Sequence, residues 1–312
     1  MSKTQIGLGL AALGRPEYIN IRTTHTIDKS EAAFKQNTFN VLDFAYKRGI
    51  RYFDTAASYG KGEAFLQEWN NLKQYSSIIL GTKWGYTYVA NWELGYQGKH
   101  EIKEHSLTKL NEQWQVSKHL IPALKIYQVH SATLESGILK NTDVLNRLHE
   151  IKQEFGLTIG ISTSGVNQND IIREALKVNI NNQPLFDSFQ VTYNVLEQST
   201  FSILKALKQL NKTIIIKEAL ANGRIFNDKV SINHLRTISK KYSVGVDAIA
   251  LRFIMDYLQP DYVLSGASNT NQLEENLKAL RFKLTEEELT SLSTLKLNTE
   301  HYWTERSELE WN

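Results

Sequence analysis

Four ionisable residues stand at or just beyond the ends of apolar runs. Asp54 closes "RYFD", and Tyr59 follows five residues later beside Gly60. Lys83 comes behind "SIILGT", and His130 comes behind "LKIYQV". Each has an ordinary explanation alone: a turn cap, a loop cover, a lysine reaching for water, a core histidine. Together they suggest proton chemistry. A phenol, with a pKa of about 10, is a reluctant donor at neutral pH. A nearby ammonium stabilises the phenolate and is expected to lower that value. A lysine buried at a strand end is costly unless paired, and Asp54 is the obvious partner. His130 would orient a carbonyl oxygen. Such a set suits general-acid reduction of an aldehyde or ketone, where the acid is worth roughly 10²–10⁴ in rate. No side chain supplies hydride, so a reduced nicotinamide must.

What elements would bring these four together? Short β-rich runs cover 6–13, 51–56, 77–84, 124–130, 157–162, 187–193, 213–218 and 261–267. Most are continuous apolar runs, as expected of strands buried on both faces. Helical patterns lie between them. Asp28 with Glu31, and Thr285 with Glu288, have capping-box spacing, and Asn269 and Gln272 can cap the run that follows them. Strand–helix alternation over the full length predicts an α/β protein, a single-domain (β/α)8 TIM barrel over 1–312. Consecutive strands would then be neighbours, and their C-terminal ends would ring one mouth. The longer connections 14–29 and 84–101, and a tail from about residue 297, are expected on that face.

The bulk numbers fit this picture. The 312 residues are 41% hydrophobic, enough for a large core. There is no cysteine, so disulfides and thiolate metal sites are excluded. No apolar run is long enough to cross a bilayer, and the first residues lack a secretory apolar block, so a cytoplasmic location is expected. The net charge of +3 comes from interleaved acids and bases, unlike the gathered cations of a nucleic-acid binder. Two tempting motifs are rejected. "GLGLAA" (7–12) has dinucleotide-turn glycines, but no helix follows, and small residues in a first strand explain it better. "HEIKEH" (100–105) spaces its histidines about 140° apart on a helix, wrong for a zinc pair, and reads as a solvated helix. No metal is expected.

"FDTAASYG", "GTKWG", "YQVHS" and "SGASNTNQLEENL" resemble the aldo-keto reductase superfamily, with matching segments across almost the whole chain. The resemblance implies a barrel that binds an extended nicotinamide dinucleotide, with Asp54, Tyr59, Lys83 and His130 as its catalytic set. It also implies that Ser162 and Gln190 hold the nicotinamide carboxamide. Ser268, Gln272, Glu275 and Asn276 match residues around the adenosine and its phosphate. Gly266 and Gln272 stand where many members carry cations, yet NADP(H) is favoured, with NAD(H) as the alternative. Lys217 stands where an aromatic usually stacks on the nicotinamide, and Lys217 and Glu218 should point to opposite faces. Lys217 is taken either as a cofactor contact or as a structural partner of a carboxylate. Arg224 could reach the pyrophosphate. Trp84, Tyr86, Tyr88 and Trp92 could wall a pocket for a sugar or a small aromatic carbonyl. Two rival readings are a nicotinamide-binding partner module of the channel β-subunit type, and an aldolase-type barrel with Lys83 as Schiff-base lysine. A small-molecule substrate is expected, without nucleic acid or membrane, and the oligomeric state is left open.

Overall fold

The computed structural model describes residues 4–19, 28–227 and 230–312, with side chains for all of these except 230 and 231. Eight parallel strands close into a barrel. They are β1 (Gln5–Gly9), β2 (Tyr52–Asp54), β3 (Ile79–Trp84), β4 (Leu124–Ala132), β5 (Thr158–Thr163), β6 (Ser188–Thr192), β7 (Thr213–Lys217) and β8 (Tyr262–Ser265). Each strand pairs with its sequence neighbour, and β8 closes on β1 with Ile6 opposite Val263. All eight expected strands are present. The chain is one (β/α)8 barrel. No helix among the described residues is long and apolar enough to cross a membrane.

The helices pack around the strands, most burying one apolar stripe, while the helix Val246–Tyr257 is buried all round from Asp247 to Met255. Local chemistry sets their ends. α1 (Glu31–Lys47) is capped by Ser30, whose hydroxyl accepts from Ala33 N. Asp28 does not form the expected box; its carboxylate accepts instead from Ser30 N, one step outside the helix. The Thr285–Glu288 box does form, at the start of the helix Glu286–Ser293. Asn269 caps the helix Thr270–Leu277 by accepting from Gln272 N.

Inside the barrel the packing is unusually polar at one point. Tyr52 points inward from β2 and fills the space between two glycines. A Cβ on Gly7 would fall 2.7 Å from Tyr52 Cδ1, and one on Gly81 would collide with the Tyr52 hydroxyl. The small first-strand residues therefore make room for a ring. Tyr52 also stacks on Tyr262, with centroids 4.3 Å apart.

Two long connections lie over the mouth. Within 84–101 and just beyond, Tyr86–Tyr88 and Glu101–Lys103 form an antiparallel hairpin. This replaces the solvated helix expected at 100–105; His100 and His105 are buried, because the hairpin folds them beneath neighbouring rings. Of the first loop, residues 20–27 lie outside the described set. The tail forms a helix, Thr299–Ser307, capped by Asn298, and then bridges back so that Trp311 pairs with Ile19. Gly7→Ala should overpack the barrel interior, destabilising the protein by about 1–3 kcal/mol, read as a lowered denaturant midpoint.

Candidate active site

Asp54 is the last residue of β2 and is buried. Its carboxylate accepts from Lys83 Nζ at 2.5 Å, Gln190 Nε2 at 2.8 Å and the Tyr52 hydroxyl at 3.1 Å. Three strands and the barrel interior therefore converge on one anion. Lys83 also donates to Thr55 O at 2.8 Å, and its Nζ lies 3.4 Å from the Tyr59 hydroxyl. Register places the pair: Asp54 lies opposite Gly81 of β3, so Lys83, two residues on, rises just above it. Tyr59 sits in a tight turn that closes through Tyr59 N to Ala56 O, 3.0 Å, and Gly62 N to Tyr59 O, 2.8 Å. Gly60, at φ +57°, lets the chain leave that turn.

His130 lies where the pairing of β4 with β5 shifts register, and Ser131 beside it has φ +43°. Such an irregularity re-aims a side chain. Here the imidazole meets the Tyr59 ring edge-on, with centroids 5.6 Å apart. Its Nδ1 lies 3.4 Å from Ser58 Oγ. The His130 carbonyl accepts from His105 Nε2 at 3.0 Å, so that nitrogen carries the proton. Burial pushes the His105 pKa down to about 4. Burial, then the charges of Lys83 and Lys217, hold His130 well below the ordinary histidine value. Both rings are neutral at pH 7.

Tyr59 corrects one expectation. Burial, then the Asp54 carboxylate, pushes its phenol well above the ordinary value rather than below it. The physical reason is that the phenol lies in a buried place beside a carboxylate, while the Lys83 ammonium is turned onto Asp54 at 2.5 Å and lies 3.4 Å from the Tyr59 hydroxyl. Lys83 itself is almost sealed off, 1% exposed, and held by two close acceptors. That position is poor for a lysine that must attack a carbonyl.

A cavity of about 850 Å³ opens above this set, lined by Asp54, Tyr59, His130 and Gln190. It runs past the end of β7 to the N-terminus of the helix Thr270–Leu277, where Gly266, Gln272, Glu275 and Asn276 line it. Gln190 offers the clearest test of fit for a nicotinamide group. Its Nε2 is spent on Asp54, while its Oε1 is buried without a partner. A carboxamide NH₂ would satisfy that acceptor. Ser162, the other expected contact, is fully buried and accepts from Ser131 N at 2.8 Å, so it steadies the loop beside His130. At the far end, Gln272 accepts from Ser268 N at 2.9 Å, and Asn276 is engaged by Ser265 and Asp247.

Lys217 does line the cavity. Its Nζ donates to Ser164 Oγ and Thr192 Oγ1, both at 2.9 Å, and burial pushes its pKa down to about 8. Glu218 lines the same cavity, contrary to the expected alternation, because its φ of +52° breaks the strand geometry. Burial would raise its pKa, but the charges of Arg306 and Lys217 outweigh that and hold it at about 2. Arg306 approaches it at 2.8 Å.

Other expected contacts lie elsewhere. Arg224 is buried against the tail helix, bonded to Ala221 O and Tyr302 O, and its guanidinium covers the Tyr302 ring. Trp84 is wholly buried beside His105. Trp92 packs edge-on to Phe34 and donates to Lys29 O at 2.8 Å. Only Tyr86 of the proposed aromatic wall faces the cavity; Tyr18 and Trp311 join it. Trp311 stacks on His100 at 4.2 Å, with Arg15 over its ring. Trp311 lies in the aromatic tail "HYWTERSELEWN", which is expected over this face; Arg15 carried no motif, since a distant segment brings it in, and only the alternation in "EIK" hinted that Glu101 and Lys103 share a face.

The barrel and its mouth define a class, (β/α)8 barrels with a cavity at the C-terminal ends of the strands, and the comparisons narrow it. The model of the aldo/keto reductase family matches residues 5–296, and the chain belongs to that family. It is 26% identical over 293 residues to YqkF, an uncharacterized oxidoreductase of Bacillus subtilis, covering 83% of this chain and 88% of the relative. It is 23% identical over 331 residues to the aldo-keto reductase YhdN of the same organism, covering 95% and 91%. Among solved structures, the holo form of aldo-keto reductase AKR11C1 from Bacillus halodurans superposes with a TM-score of 0.66 at 20% identity, covering 95% of this chain and 94% of that one.

Glu218 yields a pH prediction. Its folded value of about 2 lies below the ordinary 4.5. Its stabilisation is therefore present above about pH 4.5 and is lost as pH falls toward 2. In urea unfolding, the gap between wild type and Glu218→Gln should reach up to about 3 kcal/mol at pH 7 and shrink at pH 3.

Proposed function

We infer that the protein reduces an aldehyde or ketone to the alcohol, or runs the reverse, with Tyr59 as proton donor. The observation that carries this reading is one cavity lined by Tyr59, the neutral His130 ring and Gln190, whose Oε1 is buried without a partner. A bound nicotinamide would supply the hydride. Gln190 would hold its carboxamide, and Lys217, with Gln272 and Glu275 further along, would line its path. NADP(H) is the favoured cofactor, and NAD(H) the alternative.

Each protein group has a role that the geometry supports. His130, neutral, donates one N–H to the carbonyl oxygen, and Ser58 Oγ lies 3.4 Å from its Nδ1. Tyr59 gives its proton as the oxygen gains charge. Its raised pKa keeps it protonated until then, and the Lys83 ammonium, 3.4 Å away, stabilises the phenolate left behind. Asp54 keeps Lys83 in place. Tyr18, Tyr86 and Trp311 suit a flat aromatic carbonyl better than a sugar.

The test is nicotinamide oxidation with a panel of benzaldehydes. Tyr59→Phe should lower kcat by roughly 10²–10⁴ while the Kd for NADPH stays nearly unchanged. Because His130 is neutral and Tyr59 protonated throughout, kcat should show no titration near pH 6.5. Wild-type rates in Tyr59→Phe would remove the assignment of the acid. NADPH binding without turnover of any aldehyde would favour the partner-module reading instead.

A further inference from the structure

The hairpin over the mouth carries a charge that the proton chemistry does not use. Its strands pair Tyr86 with Lys103 and Tyr88 with Glu101. Strand alternation turns Glu101 and Lys103 toward the cavity and leaves Ile102 in solvent, 54% exposed. The other cations that line the cavity have carboxylate partners. Arg15 holds Glu101 at 2.8 Å, while Arg306 and Lys217 share Glu218 at 2.8 and 3.8 Å. Lys103 forms no ion pair among the described residues, and its Nζ lies 5.4 Å from the centre of the Tyr86 ring. The Tyr86 and His130 centroids are 4.9 Å apart, and those of His130 and Tyr59 are 5.6 Å apart. A half-buried ammonium thus stands on the wall of the cavity, two rings from the proton donor.

Keeping such a cation partly out of water costs free energy, and burial pushes its pKa down by more than the charge of Glu135, which makes no ion pair with it, raises it. An anion on the ligand would offset that cost with a charge-assisted bond. Building on the carbonyl-reductase reading, we propose that the substrate carries a carboxylate at the end away from its carbonyl. Lys103 receives that carboxylate while Tyr86 and Trp311 hold the flat body between. The class is aromatic aldehyde or keto acids.

The experiment compares 4-carboxybenzaldehyde with its methyl ester. Wild type should favour the acid in kcat/KM. Lys103→Gln should lower the acid's value about tenfold to a hundredfold, mainly through KM. The ester should move by no more than about twofold, and Lys103→Arg should restore most of the loss. Binding of 4-(hydroxymethyl)benzoate to the NADP⁺-loaded protein, followed by tryptophan fluorescence, should weaken in the same variant and reads the site without turnover. An ester favoured over the acid, or an acid preference that survives Lys103→Gln, overturns the assignment. If neither compound is reduced with either nicotinamide, the reductase reading fails, and the binding measurement alone decides whether Lys103 selects anions.

Discussion

The buried contact between Asp54 and Lys83 is the constraint around which the mouth of the barrel is arranged. Two charges are taken out of water there, and neither is tolerable alone. The carboxylate is therefore surrounded by donors from β2, β3 and β6: Tyr52, Lys83 and Gln190. The ammonium takes its remaining partner from the backbone of Thr55. Satisfying this pair fixes the ends of three strands relative to one another. Beside the pair, burial and the Asp54 carboxylate keep the Tyr59 phenol protonated.

Much of this was legible in the chain. Apolar runs ending in charge marked the strands, and their spacing marked the barrel. Asp54, Tyr59, Lys83 and His130 could be placed because in a parallel barrel position along a strand is position in space. What sequence could not show was direction and balance. The phenol's pKa depended on how burial and Asp54 weighed against Arg15, a cation that arrives from a distant segment. Alternation failed at Glu218 because one residue takes a left-handed conformation, which nothing in "IIIKEAL" announces. Arg224, Trp84 and Trp92 looked like ligand contacts because cations and aromatics at strand ends often are. In the structure they are occupied in holding the loops, and the residues that do face the cavity, such as Trp311, arrive from far along the chain.

The loops are built to the same logic as the barrel. His105 braces the backbone of His130, Ser162 braces Ser131, and Gln272 braces Ser268. His105 and Ser162 touch the cavity through others, whereas Gln272 lines it directly. Their hydrogen bonds replace the regular ladder where it is interrupted, at the β4 irregularity and beyond β8. The hairpin of 86–103 needs no ladder to the barrel, and it is correspondingly free to present one face inward.

Tyr52 carries an implication for anyone who would alter this molecule. In most barrels the end beneath the sheet serves stability and the opposite end serves chemistry, so the two can be redesigned separately. Here a single aromatic column joins them: Tyr262 supports Tyr52, and the Tyr52 hydroxyl reaches the carboxylate that holds the lysine. Repacking the base, an innocent-looking route to heat resistance, would also disturb the Asp54–Lys83 pair at the mouth.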